Sequence, residues 1–187
     1  LGRDYSYSNA WVMKCNIISV GHKPSKWESE GLSFYTKQLP KNFVINYIDL
    51  KGKQHPKMSK EEILKLEENL ILDKLSGKGK TIACDMNGEN FSSIGFSRVL
   101  NNSIEINQDI SFVIGGSFGL SRNVLNHADM LLSISSLTFP HRLFKIILIE
   151  QIYRSFSIFN NQPYHKWLIY KKDLLKEEVL FWDFLLF

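Results

Sequence analysis

The sequence predicts a single α/β domain whose mostly parallel sheet is flanked by helices. Short apolar runs alternate with longer segments that carry apolar residues at helical spacing, the pattern typical of parallel strands joined by crossover helices. The chain has 187 residues, of which 44% are hydrophobic. That length supplies one well-buried core and is too short for two ordinary ones.

Apolar runs bounded by turn residues predict strands over residues 15–20, 43–50, 81–85, 110–114 and 130–134. The two cysteines, Cys15 and Cys84, lie in the first and third of these runs. They form neither a disulfide framework nor a metal-ligand cluster in the sequence, so we expect both to be buried thiols.

Helical spacing predicts helices over residues 27–39, 59–77, 92–100 and 140–158. Pro40 ends the first of them. Ser59 and Glu62 form the Ser-x-x-Glu capping box that begins the second. Pro140 suits the first position of the last helix, because the N–H that proline lacks would have no partner there.

The two ends of the chain differ from its middle. Residues 1–12 precede Met13, and we expect them to be a cloning remnant or the end of a removed leader. Residues 13–166 are predicted to form the single domain. Residues 167–187 form an atypical extension, which is equally consistent with one amphipathic helix and with a disordered or translated non-coding segment.

The net charge of +4 comes from the front half of the chain. Between residues 23 and 60, eight lysines face only Glu28, Glu30 and Asp49. The lysines are Lys23, Lys26, Lys37, Lys41, Lys51, Lys53, Lys57 and Lys60. Such a surface can neutralise RNA phosphates. A solvated lysine-rich surface without a polyanionic partner explains the same charge equally well.

Motifs and run lengths exclude several classes of protein. No apolar run reaches the roughly 18 residues needed to cross a bilayer, and no secretory leader opens the chain. The loop GGSFGLS that begins at Gly115 lacks the Gly-Lys-Ser/Thr ending of a Walker phosphate loop and the spacing of a dinucleotide-binding fingerprint. No ligand spacing suggests a metal. We therefore expect an intracellular protein that uses no metal and has no membrane partner.

Three motifs follow one another between residues 112 and 166: FVIGGSFGLS, SISSLTFPHRLFKIILIEQIYRSFSI and QPYHK. In this order they resemble the RlmH family of SPOUT-class methyltransferases. The resemblance implies methylation of N3 of a pseudouridine in large-subunit ribosomal RNA of assembled ribosomes. S-adenosylmethionine is the implied methyl donor and S-adenosylhomocysteine the product. The implied fold is a SPOUT-type α/β knot, in which the C-terminal third forms a deep trefoil knot that periodicity alone does not predict.

In the resembled family the donor lies in the crevice of the knot, among backbone groups and apolar side chains. The matching positions are Cys84, Gly115, Ile134, Ser135, Ser136, Leu137, Thr138 and Phe139. Glycines in the loop after residue 114 would let the backbone approach a ligand closely. Taken without the family, the same loop is equally well explained as a tight strand-to-helix turn.

The segment after Pro140 is apolar around more than one face, which predicts burial against a partner subunit. The resemblance likewise implies a homodimer whose active sites are built across the interface. Glu150 and Arg154 are four residues apart and could form an intrahelical ion pair. The alternative is that Arg154 orients the RNA phosphate or base.

The motif Pro163-Tyr164-His165-Lys166 matches the closing motif of the family. The resemblance implies that Tyr164, His165 and Lys166 reach the target base beside the donor of the neighbouring subunit. His165, with an ordinary pKa of about 6.5, could accept the N3 proton, and Tyr164 could stack on the base or hydrogen-bond to it. Lys166 stands where the family more often has arginine, which keeps the charge and loses the planar fork.

The predicted RNA contacts are Lys23, Lys26, Lys53, Arg142 and Lys166. Two other functions remain open. One is a non-catalytic ribosome- or RNA-binding dimer in which residues 167–187 block the base pocket, and the other is a SPOUT enzyme that modifies transfer RNA. We expect a cytoplasmic protein, or one of an organelle matrix if residues 1–12 end a removed leader.

Overall fold

The computed structural model describes residues 12–52, 57–75, 79–162 and 164. Lys53, His165 and Lys166 lie outside the described residues, as do residues 1–11 and 167–187. In chain order the elements are β1 (Met13–Val20), α1 (Lys26–Thr36), β2 (Phe43–Leu50), α2 (Lys60–Lys74), β3 (Gly79–Asn90), α3 (Ser93–Glu105), β4 (Asp109–Ile114), α4 (Arg122–His127), β5 (Met130–Ser133) and α5 (His141–Phe159).

The strands form one parallel five-stranded sheet in the order β2-β1-β4-β3-β5, which confirms the predicted class. Helices cover both faces, as parallel connections require. On one face α1, α3 and α5 pack over Ile17, Ile82 and Phe112. On the other face α2 and α4 pack over Ile18 and Val113. Successive side chains of one strand, such as those of Ile17 and Ile18, therefore pack into cores on opposite faces of the sheet.

Local hydrogen bonds explain where two of the helices begin. The Ser59 N–H donates to Glu62 Oε2 at 2.8 Å, and the Glu62 N–H donates to Ser59 Oγ at 3.2 Å, so the predicted capping box is confirmed. The hydroxyl of Ser92 accepts from the Gly95 N–H at 3.1 Å and caps α3. That helix continues to Glu105, five residues beyond its predicted end.

The largest departure from the predicted elements is the length of β3. The apolar run predicts a strand over 81–85, whereas the strand continues through the polar residues DMNGEN to Asn90. After a shift of register it pairs with β5 a second time, at Glu89 with Leu132 and at Asn90 with Ser133. Pairing with β5 stabilises this part of β3, so it forms a strand although its sequence lacks the apolar periodicity that would predict one.

A second departure is α4, which the sequence analysis does not predict. Ser121 caps it by accepting from the Val124 N–H at 3.2 Å. At six residues the helix is too short to show a helical period. α1 also ends at Thr36, before its predicted end at 39.

α5 lies between α1 and α3 on one face of the sheet. Leu148, Ile149 and Ile152 are fully buried there by residues of the same chain. Packing within one subunit therefore explains most of the apolar character of α5. That character alone is weaker evidence for a partner subunit than the sequence suggests.

β3 and β5 approach each other closely at Gly88. An ideal Cβ on Gly88 would lie 2.6 Å from backbone atoms of Leu131 and Leu132, a distance that real Cβ atoms do not tolerate. Backbone cannot move aside as a flexible side chain would. Glycine at this position is therefore a steric requirement of the strand pair.

We predict that Gly88→Ala lowers the free energy of unfolding by about 1–3 kcal/mol, the usual cost of overpacking. The matched control is Gly21→Ala, since a Cβ on Gly21 would have no heavy atom within 4 Å. Urea unfolding followed by circular dichroism measures both. Equal midpoints for the two variants would contradict the steric account.

Candidate functional site

Three adjacent strands lie in register where β4 and β5 end, although β3 itself continues to Asn90. Cys84 of β3 pairs in register with Ile114 of β4 on one side and with Leu132 of β5 on the other. Gly115 follows the end of β4, and Ile134 follows β5. The structure thus brings Cys84, Gly115 and Ile134 to one edge of the sheet. In open parallel sheets this edge is where ligands bind.

A cavity of about 250 Å³ lies where β5 ends, beside residues of α3 and α5, and neither Cys84 nor Gly115 lines it. Of the predicted donor residues, Ile134, Ser135 and Phe139 line it. Its other walls include Phe91, Phe96 and Gln151, which the sequence analysis does not identify. Aromatic and aliphatic walls with a few hydroxyl and amide groups suit a flat heteroaromatic group that carries a ribose.

Gln151 connects two walls of this cavity. Its Oε1 accepts from the hydroxyl of Ser93 at 3.0 Å, which joins α5 to the first turn of α3. The position of Gln151 in an apolar helix gives no sign of this role. Only the packing of α3 against α5 brings the two side chains together.

The remaining predicted donor residues lie outside the cavity lining. Ser136, Leu137 and Thr138 are exposed, and Leu137 is 72% exposed. The Leu137 N–H donates to Ser135 Oγ at 2.9 Å, a local bond within this segment. Cys15 is buried as expected, whereas Cys84 is only partly buried. Burial of the Cys84 thiol still raises its pKa to about 12, so the thiol is neutral at physiological pH.

The glycine loop, residues 115–119, forms a tight turn at the end of β4. The Gly119 N–H donates to the Gly116 carbonyl at 3.1 Å, and Gly119 has a φ of +79°, which favours glycine. Gly115 packs directly on the backbone of Gly119. A turn is thus present, and it also places backbone groups of the loop at the sheet edge.

A second cavity, of about 290 Å³, lies beside the glycine loop at the ends of β1, β2 and β4. Lys145 lies in its wall and is buried. Its ammonium group donates to Asp49 Oδ1 at 2.9 Å and to Ser19 Oγ at 3.4 Å. This ion pair fixes the first turns of α5 to the ends of β1 and β2.

Arg142, a predicted RNA contact, also lies in the wall of the second cavity. Its guanidinium group is 3.3 Å from Glu28 Oε2, a carboxylate that is almost fully buried. Burial alone would raise the pKa of Glu28, but hydrogen bonds from Ser25 and the charges of Arg142 and Lys145 outweigh it and lower the pKa. The ionised Glu28 carboxylate thus anchors the guanidinium group of Arg142, while about half of the arginine side chain stays exposed.

The predicted catalytic residues Arg154 and Tyr164 lie together. Arg154 forms an ion pair with Glu150, so the intrahelical pair is confirmed. The hydroxyl of Tyr164 donates to Glu150 Oε1 at 3.1 Å, and the guanidinium carbon of Arg154 lies 4.9 Å from the centre of the Tyr164 ring. Glu150 is thus the common partner, a role that sequence spacing suggests only for the arginine.

Burial, a hydrogen bond with Tyr35 and the negative charge of Glu150 raise the pKa of Tyr164. Tyr164 is therefore a neutral hydrogen-bond donor at physiological pH and not a base. Arg154 Nε is buried and has no hydrogen-bond partner among the described residues.

Of the predicted RNA-contacting lysines, the structure describes Lys23 and Lys26, and neither lines these two cavities. Lys23 is exposed, and Lys26 lies 4.0 Å from Glu30 at the surface of α1. A pair so exposed contributes little to stability and leaves the ammonium group accessible.

Within the part of the chain that the structure describes, no helix is long and apolar enough to span a membrane. The same residues contain no group of three or more histidine, cysteine, aspartate or glutamate side chains that could hold a metal ion.

Comparisons with known proteins agree with this geometry. A family model described as "Predicted SPOUT methyltransferase" matches residues 13–165. The chain is 39% identical over 159 residues to "Ribosomal RNA large subunit methyltransferase H 1" of Clostridium perfringens, covering 82% of this chain and 100% of the relative. It is 40% identical over the same length to "Ribosomal RNA large subunit methyltransferase H" of Clostridium botulinum, with the same coverage.

Among solved structures, the chain is similar to that of a probable methylase family protein from Haemophilus influenzae, with a TM-score of 0.50 and 12% identity. The match covers 89% of this chain and 78% of the other, and it supports the fold alone. The family model and the sequence relatives establish the family. The chain therefore belongs to the SPOUT family of S-adenosylmethionine-dependent methyltransferases.

Proposed function

We propose that the chain methylates N3 of a pseudouridine in large-subunit ribosomal RNA, acting on assembled ribosomes. The observation that carries this proposal is the 39% identity to a ribosomal RNA large subunit methyltransferase H over that relative's entire length. S-adenosylmethionine is the donor and S-adenosylhomocysteine the product. The protein acts in the cytoplasm or in an organelle matrix.

The cavity at the end of β5, beside α3 and α5, is the proposed donor site. Ile134 and Phe139 would enclose the adenine, and Ser135 would hydrogen-bond to the ribose. Cys84, Gly115 and the exposed run Ser136, Leu137 and Thr138 would complete the crevice. When bound, the donor supplies a methyl group that its sulfonium already activates.

The residues of the chain then have two tasks, to hold N3 in line with that methyl group and to accept one imino proton. His165 is the proposed proton acceptor. Tyr164 would contact the base as a neutral donor, and its bond to Glu150 and contact with Arg154 would fix its ring. Lys23, Lys26, Arg142, Lys53 and Lys166 would contact RNA phosphates.

The path of the chain after β5 supports the proposed trefoil knot. β5 lies outside β3 at the edge of the sheet, whereas α5 lies between α1 and α3. Residues 134–140 must therefore pass the segment that leads from β3 to α3. The end of β3 that leads into this segment is in close backbone contact with β5 at Gly88. We propose that the chain passes through this connection to make the knot.

A row of aromatic rings supports the proposed homodimer. On α1, Phe34 is 63% exposed, and its ring centre is 5.1 Å from that of Tyr35. The row continues to Tyr153 of α5 at 6.0 Å and then to Tyr164 at 4.8 Å. An exposed aromatic surface of this kind marks interaction sites. A second subunit that covered Phe34 would lie next to the catalytic tyrosine.

The methyl-transfer reaction itself is the first test. Ribosomes that lack the modification, incubated with the protein and radiolabelled S-adenosylmethionine, are expected to gain label in large-subunit RNA, at a pseudouridine identified by mass spectrometry. Because a general base contributes about 100-fold or more, His165→Ala should lower kcat by at least that factor.

Three outcomes of this assay would contradict the proposal. Donor binding without turnover, with and without residues 167–187, would favour the non-catalytic dimer. Label in transfer RNA alone would favour the transfer-RNA enzyme. Undiminished kcat for His165→Ala at saturating substrates would remove the base assignment.

The donor cavity is tested by binding. Phe139→Ala should raise the Kd for S-adenosylmethionine about three- to tenfold, because one aromatic contact is lost. Ile106→Ala is the control, since Ile106 is 68% exposed at the far end of α3. Isothermal titration calorimetry measures both, and equal Kd values for the two variants would count against this cavity.

The proposed interface is tested by the oligomeric state. Phe34→Glu is expected to convert a dimer into a monomer, because a carboxylate would be buried without a partner. Ile106→Glu places the same charge on another exposed apolar position and should leave the dimer intact. Sedimentation velocity distinguishes the two states. A dimeric Phe34→Glu variant would place the interface elsewhere.

A further inference from the structure

A buried carboxyl group lies beneath the glycine loop. Glu67 of α2 is only 1% exposed, and neither of its carboxyl oxygens has a hydrogen-bond partner of good geometry among the described residues. A polar group buried in this way costs free energy and needs an explanation. The proposed transfer reaction makes no direct use of it.

The neighbours of this carboxyl group are two loops at the functional edge of the sheet. An ideal Cβ on Gly116 would lie 2.6 Å from both carboxyl oxygens of Glu67, and one on Gly52 would lie 3.2 Å from Oε1. The carboxyl group thus occupies the space that any side chain at position 116 would need. Gly52 and Gly116 both line the second cavity, so Glu67 supports its wall from behind.

The adjacent residue of α2 holds the segment that follows the glycine loop. Glu68 Oε2 accepts from the Ser121 hydroxyl at 2.8 Å, and its Oε1 accepts from Asn123 Nδ2 at 3.1 Å. Hydrogen bonds from Lys65, Ser121 and Asn123 lower the pKa of Glu68 to about 2, so this anchor is ionised. Glu67 therefore contacts the glycine loop just before residues 117–119, and Glu68 contacts the segment just after them.

Burial raises the pKa of Glu67, and the nearby N–H of Gly116 only partly offsets that effect. The two glutamates thus differ in environment. Glu68 is anchored by charge-assisted hydrogen bonds, whereas Glu67 acts through its shape and its contact with backbone.

We propose that Glu67 is a positioning residue for the methyl donor. Its contact with Gly116 sets the course of the glycine loop. No residue of that loop lines the first cavity, but the loop carries Gly115, a proposed donor contact that follows β4. Glu67 itself does not touch the donor. This inference rests on the proposed function, since it assigns a task to a loop of the same site.

Donor binding by two Glu67 variants is the direct test. Glu67→Ala should raise the Kd for S-adenosylmethionine about tenfold or more, because a displaced loop no longer presents its backbone correctly. Glu67→Gln keeps the shape and should bind the donor within about threefold of wild type. In the steady state, KM for the donor should rise more than kcat falls.

A matched control separates positioning from stability. Glu62→Ala removes the capping box of the same helix and so lowers stability without touching the glycine loop. Its Kd for the donor should equal that of wild type. An equal rise in Kd for Glu62→Ala and Glu67→Ala would overturn the proposal.

A double-mutant cycle tests the contact itself. Gly116→Ala places a methyl group where the Glu67 carboxyl group lies and should weaken donor binding. In the Glu67→Ala background that space is empty, so adding Gly116→Ala should weaken binding much less than it does in wild type. Multiplicative effects, or a Kd for Glu67→Ala within about twofold of wild type, would refute the role.

Hydrogen exchange keeps the test independent of the proposed reaction. Amides of residues 115–121 should exchange faster in Glu67→Ala than in wild type, and at the wild-type rate in Glu62→Ala, without any donor. Unchanged exchange in Glu67→Ala would overturn the positioning role. If wild type bound no donor, the proposed function would fail while this comparison still decided the role of Glu67.

Discussion

The register of three parallel strands is the constraint on which the site depends. Because Cys84, Ile114 and Leu132 lie level on β3, β4 and β5, the segments that follow β4 and β5 leave the sheet at one edge, while β3 continues to Asn90. A shift of one residue in any pair would turn buried side chains to the opposite face. The two apolar cores, one on each face of the sheet, stabilise that register, and the register determines where the loops lie.

Helices on both faces then hold the edge in place. From one face, α2 supports the glycine loop through Glu67 and Glu68. From the other, α5 is fixed at its start by the Lys145–Asp49 pair and carries Glu150 and Arg154 near its middle. The glycine loop and Arg154 thus rest on rigid elements, which is what in-line positioning of a methyl group requires.

The sequence predicts those parts of the structure that depend on residues close together in the chain. Apolar runs indicate the strands, the Ser59–Glu62 capping box begins α2, and motif order indicates the family. The polar second half of β3 has no such signal, because pairing with β5 stabilises it. Likewise Phe91 and Gln151 reach the cavity only through helix packing. The buried carboxyl of Glu67 belongs to a charged run that resembles a solvated helix face.

S-adenosylmethionine is proposed to bind in the cavity at the end of β5 that Ile134, Ser135 and Phe139 line. Methyl NMR of isoleucine-labelled protein, titrated with S-adenosylmethionine, tests it most directly. Shifts are expected at Ile134 and Ile147, which line the cavity, and none at Ile63 or Ile106. Saturable shifts confined to Ile63 and Ile106, or none at any isoleucine, would contradict it.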